Sequence, residues 1–170
     1  RFKEHGIGYS YEEGQIIKVD SQYIHAEITK PTLNLLWNEK FEGANEEYLE
    51  AHEHYKYGRN KACLVACLKA FESTLKIICD EKGWAYDEKK DSATKLIKIC
   101  YDNDLLPSFT QTQYTSLRSL LDNGITSIRN KTSGHGQGAI PQKVDDEITR
   151  YGLNLTGSCI IFLVEQSGIK

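Results

Sequence analysis

The feature that most constrains this chain is a stripe of apolar residues beyond Arg59. Leu64, Cys67, Leu68, Phe71, Leu75, Ile78 and Cys79 recur at steps of three and four, the spacing that gathers side chains on one face of an α-helix. Glu72 and Lys76 stand one turn apart on the same helix, where opposite charges pair. So wide an apolar face needs other helices to cover it, and the rest of the chain supplies them. Ala93, Leu96, Ile97 and Cys100 mark a shorter helix ending before Pro107, after a stop at Gly83. Tyr114, Leu117, Leu120, Leu121, Ile125 and Ile128 mark another, starting near Thr110 or Thr112. Val144, Ile148, Tyr151, Leu155, Cys159 and Phe162 give the expected core face of a last helix. Pro141 suits its first turn, and Asp145, Asp146 and Glu147 suit its positive end. The expected fold is mainly α, an up-and-down bundle of about four long helices.

The N-terminal part reads differently. Ile7, Tyr9 and Tyr11 alternate with small or polar residues, Glu12-Glu13-Gly14 turns the chain, and Ile17 and Val19 alternate on the return. That is a β-hairpin, and because an isolated hairpin is barely stable it should pack on the helices or on a partner. Asp20 or Ser21 caps the next helix, which Pro31 interrupts or restarts. Leu33, Leu36 and Trp37 carry it to a turn at Glu42-Gly43, and Asn45 is the expected N-cap of the helix after, with Glu46 and Glu47 in its first turn. The division expected is residues 1–57 as hairpin and short helices, and residues 58–170 as a helical domain.

Bulk properties narrow the function. A chain of 170 residues suits one domain with a small appendage, and a net charge of -3 gives no general pull toward nucleic acid. Any RNA contact therefore needs a local basic patch. The most apolar stretch, Cys159 to Val164, is far too short to span a bilayer, and no charged-then-apolar leader opens the chain; no membrane partner and a cytoplasmic location are expected. Since residue 1 is Arg, a fragment or processed form is expected. Five cysteines without a Cys-x-x-Cys pair read as buried free thiols, and the sequons at Asn130 and Asn154 as chance matches. His52-Glu53-His54 puts its histidines on different sides of a helix, so no metal and no cofactor are expected. Tyr48, Tyr55, Tyr57 and Trp37 read as core or interface aromatics rather than as a base-stacking surface. Glu46, Glu47, Glu50 and Glu53 read as a solvated face.

The segment with chemistry in it is Arg129-Asn130 followed, across a glycine-rich turn, by His135. Arg129 is a permanent planar cation suited to phosphate oxygens. His135 exchanges a proton near neutral pH, and Asn130 orients a neighbour through hydrogen bonds of both kinds. Gly134, Gly136 and Gly138, with Lys131 and Gln137 among them, let a phosphate backbone approach and leave amides exposed. A proton shuttle, a charge stabiliser and a positioner are the parts that phosphoryl transfer without a metal requires. Helix C-capping by Arg129 and Asn130 and a simple turn histidine at 135 account for the same residue types.

Arg, five intervening residues and His, with Asn directly after the Arg, resembles the Arg-x(4–6)-His signature of HEPN domains. The string from Ile128 to Gly138 looks like the C-terminal domain of abortive-infection proteins, a HEPN relative, and Ala66 to Lys76 looks like that domain's earlier helix. The resemblance covers roughly residues 58 to 168. It implies a homodimer that brings two Arg129/His135 pairs into one cleft. It implies a metal-independent endoribonuclease or RNA-processing toxin of phage-defence type, in which His135 assists the ribose 2′-hydroxyl, Arg129 steadies the phosphorane and Asn130 orients one of them. Glu72 is then a supporting residue on the facing helix. The alternative is a non-catalytic HEPN module that binds RNA, a nucleotide, an antitoxin or a partner subunit, or serves as a dimerisation domain. A basic cleft around Arg129, Lys131 and Arg59 is expected for the nuclease and the binding module, and a neutral one for a purely structural dimerisation domain.

Overall fold

The computed structural model describes residues 8–12, 14–117, 119 and 144–169. Strands β1 (Gly8–Glu12) and β2 (Gln15–Val19) pair antiparallel, with Glu12 opposite Gln15 and Gly8 opposite Val19. The turn needs a glycine, because Gly14 takes φ +87°. Ile17 and Val19 point inward and are buried, whereas Tyr9, Tyr11 and Ile16 face outward. Ile7 lies outside the described residues.

A continuous helical stretch follows, as α1 (Gln22–Ile24), a π-helical turn (His25–Thr29) and α2 (Lys30–Leu36). Ser21 caps it, its hydroxyl accepting from the Ile24 amide at 3.3 Å. Pro31 therefore does not interrupt the helix. The wider turn re-registers it, the Lys30 amide reaching back to the His25 carbonyl, and the Thr32 hydroxyl donates to the Ile28 carbonyl at 2.7 Å.

Helix α3 (Glu42–Lys56) begins where a turn was expected, and Asn45 is not its cap. Phe41, Ala44, Tyr48, Ala51 and Tyr55 are all buried, and that periodic face requires helix from residue 42 onward. Asn45 is instead buried inside it, and Asn38, ahead of the short 3-10 turn Glu39–Phe41, does the capping, accepting from the Lys40 amide at 3.0 Å. Helix α4 (Asn60–Lys82) is the central element, with Leu64, Cys67, Phe71, Leu75, Ile78 and Cys79 buried as the spacing predicts and Leu68 partly buried against the core. Gly83 ends it in the left-handed region at φ +68°. Helix α5 (Ala93–Asp102) buries Ala93, Leu96, Ile97 and Cys100. Residues 111–117 form α6, and α7 (Asp146–Ser167) closes the bundle behind Asp145.

Helix α4 packs between α3 and α7, α5 lies against α4, and β2 lies on α3. One hydrophobic core runs from Ile17 in the hairpin to Val164 in α7. The five cysteines are free thiols, four of them fully buried. Among the described residues no helix is long and apolar enough to cross a membrane.

The core face of α7 is turned from the expected one. Ile148 and Tyr151 are exposed, the latter by 57%, whereas Val144, Leu155, Cys159 and Phe162 pack against the core at its margin, partly buried. The buried residues are Thr149, Gly152, Leu153, Thr156, Gly157, Ile160, Leu163, Val164 and Ser167. The cause is close helix approach. A Cβ on Gly157 would stand 2.5 Å from the Tyr48 hydroxyl and 2.9 Å from Ile28 Cγ2, and the Thr32 hydroxyl reaches the Gly157 carbonyl at 3.3 Å.

Candidate functional site

Arg129, Asn130, Lys131, Gly134, His135, Gly136, Gln137 and Gly138 lie outside the described residues, as do Leu120, Leu121, Ile125, Ile128 and Pro141. What the structure describes is the frame on either side of them.

Upstream, α6 is fixed by Tyr114, whose ring stacks at 6.3 Å from Phe71 of α4 and 6.1 Å from Phe162 of α7. Burial pushes the Tyr114 hydroxyl far above its ordinary pKa, so the ring is held as a neutral phenol. Leu117, the last residue of that turn, is buried as well. An apolar groove of about 620 Å³ runs between α6 and α7, with Tyr151, Leu155 and Phe162 on its α7 side.

Downstream, the chain re-enters at Val144 and is tied to the start of α4. The Asn60 amide donates to the Val144 carbonyl at 2.7 Å and to Asp146 Oδ1 at 2.6 Å, while its own side-chain oxygen is buried without a partner among the described residues. Asn60 thus joins the N-terminal ends of α4 and α7. The two ends border a cavity of about 640 Å³ lined by Gly58 to Ala62 and Val144 to Glu147. Gly58, at φ +66°, makes the sharp bend from α3 into α4.

Electrostatically this cavity is mixed. Arg59 and Lys61 face Asp145, Asp146 and Glu147 across it. At its α3 edge the ring of Tyr57, 59% exposed, carries the Arg59 guanidinium at 4.9 Å and the Lys56 ammonium at 4.8 Å from its centroid. An exposed aromatic between two cations is a surface that a nucleobase and its phosphate both suit. Of the four aromatics read as core or interface, Tyr48 and Tyr55 are buried, and Tyr57 and Trp37 are exposed.

Glu72 has a defined partner. Its Oε1 accepts from the Ala93 amide at 3.1 Å, so α4 caps the N-terminus of α5, where Ser92 makes no side-chain cap of its own. Asn60 was missed in the sequence, although an Asn just ahead of a strong apolar helix is a recognisable cap-type residue. Also missed was a second polar cluster, under the hairpin, around His25 and His52. Nothing in the local spacing of these two residues brings them together. Among the described residues no three His, Cys, Asp or Glu side chains are placed to hold a metal ion.

Comparison with known proteins agrees with this frame. No curated protein and no solved structure matches the chain. The model of the Abi_C family, described as a HEPN-like domain, matches residues 42–167. The match opens in α3 rather than after it, and spans both the framed segment and its two anchors. Matched from the start of α3 to the end of α7, the chain belongs to the HEPN-like domains of the Abi_C family.

Proposed function

We propose that this protein is a metal-independent endoribonuclease or RNA-processing toxin of phage-defence type, working as a homodimer in the cytoplasm. The observation that carries the reading is the family match over residues 42–167, within which Arg129, Asn130 and His135 stand in the spacing of a metal-free phosphoryl-transfer centre. His135 takes the proton of a ribose 2′-hydroxyl, whose oxygen attacks the adjacent phosphorus. Arg129 balances the charge that builds on the phosphorane, and Asn130 orients one of the two. The bond to the 5′-oxygen breaks, that oxygen takes up a proton, and a cyclic phosphate and a 5′-hydroxyl remain. Lys131 and the amides of Gly134, Gly136, Gln137 and Gly138 hold the RNA backbone. The Tyr57, Lys56 and Arg59 edge gives the strand a stacking and phosphate surface beside the motif's downstream anchor. Glu72 supports the centre at one remove, through the placement of α5.

A second reading has its own support. Asp145, Asp146 and Glu147 offset Arg59 and Lys61 in the cavity at that anchor, and a balanced surface favours a non-catalytic HEPN module that serves as a dimerisation domain. Incubating the purified chain with total RNA in EDTA, beside Arg129→Ala and His135→Ala, separates the two. Cleavage that survives chelation and disappears in both variants is the expected result. A wild-type chain that dimerises without cutting RNA establishes the second reading.

A further inference from the structure

Between the hairpin, the π-helical turn, α3 and α7 lies a cavity of about 170 Å³. It has room for a group of several heavy atoms, a water molecule occupying about 30 Å³. His52 of α3 lines it and is 3% exposed, yet neither of its ring nitrogens has a hydrogen-bond partner among the described residues. Tyr48 packs edge-on against the imidazole at 4.8 Å between centroids and fixes its plane. An imidazole buried with both nitrogens unpaired is costly, and folded proteins retain such groups where something else completes them.

The charges around it decide what that is. Asp20, from the hairpin exit, is engaged by Lys18 at 3.4 Å and by the hydroxyl of Tyr55. Glu12 is engaged by His25 at 3.0 Å and by Lys30 at 3.4 Å. Both carboxylates are therefore spoken for, and Asp146, one turn before Arg150 on α7, accepts from the Asn60 amide. Arg150 of α7 lines the same cavity and has no carboxylate partner among the described residues. A guanidinium left over at a polar cavity calls for an oxyanion. Burial, with the neighbouring His25, holds the His52 ring neutral down to about 3, so it offers one donor and one acceptor. A phosphate group bearing one proton presents both complements at once, whereas a carboxylate presents acceptors alone.

We propose that this cavity is a binding site for a phosphate group, held by Arg150 at its mouth and by His52 at its floor. It is distinct from the Arg129/His135 segment and needs no RNA cleavage to be observed. The source of the phosphate is either the free ion or the terminal group of a nucleotide. Both have the same chemistry, and titration tells them apart.

The experiment is calorimetric titration of the full chain with inorganic phosphate in chloride buffer, with nitrogen NMR of the imidazoles followed in parallel. One saturable site is expected, with His52 ring signals moving on binding, and with affinity falling at least about tenfold, about 1.4 kcal/mol, in Arg150→Ala. His52→Gln, which keeps a donor and an acceptor, is expected to retain more affinity than His52→Phe. Adenosine monophosphate as a second titrant identifies the source: tighter binding than phosphate means a nucleotide, and equal or weaker binding means the free ion. Absence of saturable binding overturns the proposal. So does binding that Arg150→Ala leaves unchanged, and because Arg150 is exposed that variant is expected to fold whatever becomes of the His52 variants.

Discussion

The two longest helices, α4 and α7, are buried by different means. Helix α4 presents Leu64, Phe71, Leu75 and Ile78, large side chains that fill the space between helices. Helix α7 presents Thr149, Gly152, Thr156 and Gly157 along much of its buried face, and at Gly157 the side chains of Tyr48, Ile28 and Thr32 come right up to its backbone. The hydroxyls of Thr149 and Thr156 donate to carbonyls one turn back, at 2.9 and 2.8 Å, so these polar groups enter the core already satisfied. A face built by volume and a face built by proximity should fail differently when altered.

The largest effect is expected from Phe71→Ala, which removes the ring that Tyr114 stacks on and leaves a void in the middle of α4. It should cost about 3–5 kcal/mol, measured as a shift in denaturant midpoint at unchanged slope. Gly157→Ala tests the other mechanism. Alanine is the better helix former by about 1 kcal/mol, yet the added methyl meets Tyr48 and Ile28, so a net loss of about 1–3 kcal/mol is expected. A gain in stability there would mean that α7 does not sit as close as described. Glu72→Ala should cost about 1 kcal/mol through the lost α5 cap, with faster hydrogen exchange at the Ala93 amide. Glu72→Gln, which keeps the acceptor, should restore most of it. The smallest effect belongs to Tyr151→Ser, within about 0.5 kcal/mol; a loss of core size would return the buried face of α7 to the one its hydropathy suggests.

That contrast also explains what could be read beforehand. Large apolar residues at helical spacing identify α4 and α5 and their inward residues without ambiguity, because burial follows volume. The inward face of α7 was only partly legible: Leu155 and Phe162 do pack against the core, but Ile148 and Tyr151 stay exposed, and the threonines and glycines at its centre carry no such signal. The start of α3 was misplaced for a related reason. Asn45 has the chemistry of a cap, but Phe41 and Ala44 commit the chain to helix before it, and Asn38 caps only the short 3-10 turn ahead of α3. At the candidate site, the Arg129-Asn130 … His135 pattern is visible in the sequence alone, together with the apolar helix that leads into it. The Asn60 tie and the His52 cavity were not, because each depends on elements far apart in the chain meeting in space. His52 drew attention only as half of a metal-like pair with His54, whereas His54 turns to Glu50 at 3.3 Å.

The contact between Thr32 and Gly157 has a consequence for the order of events during synthesis. It joins residues 125 positions apart, and α7 supplies one wall of the pocket in which α4 is buried. On a ribosome adding about 5–20 residues each second, α3 and α4 are complete on the order of seconds before α7 emerges. For that interval the apolar face around Leu64 and Phe71 lacks the wall that α7 supplies. The nascent protein therefore passes through a sticky intermediate, whose lifetime is set by translation speed and by how soon a chaperone or a second nascent copy finds it.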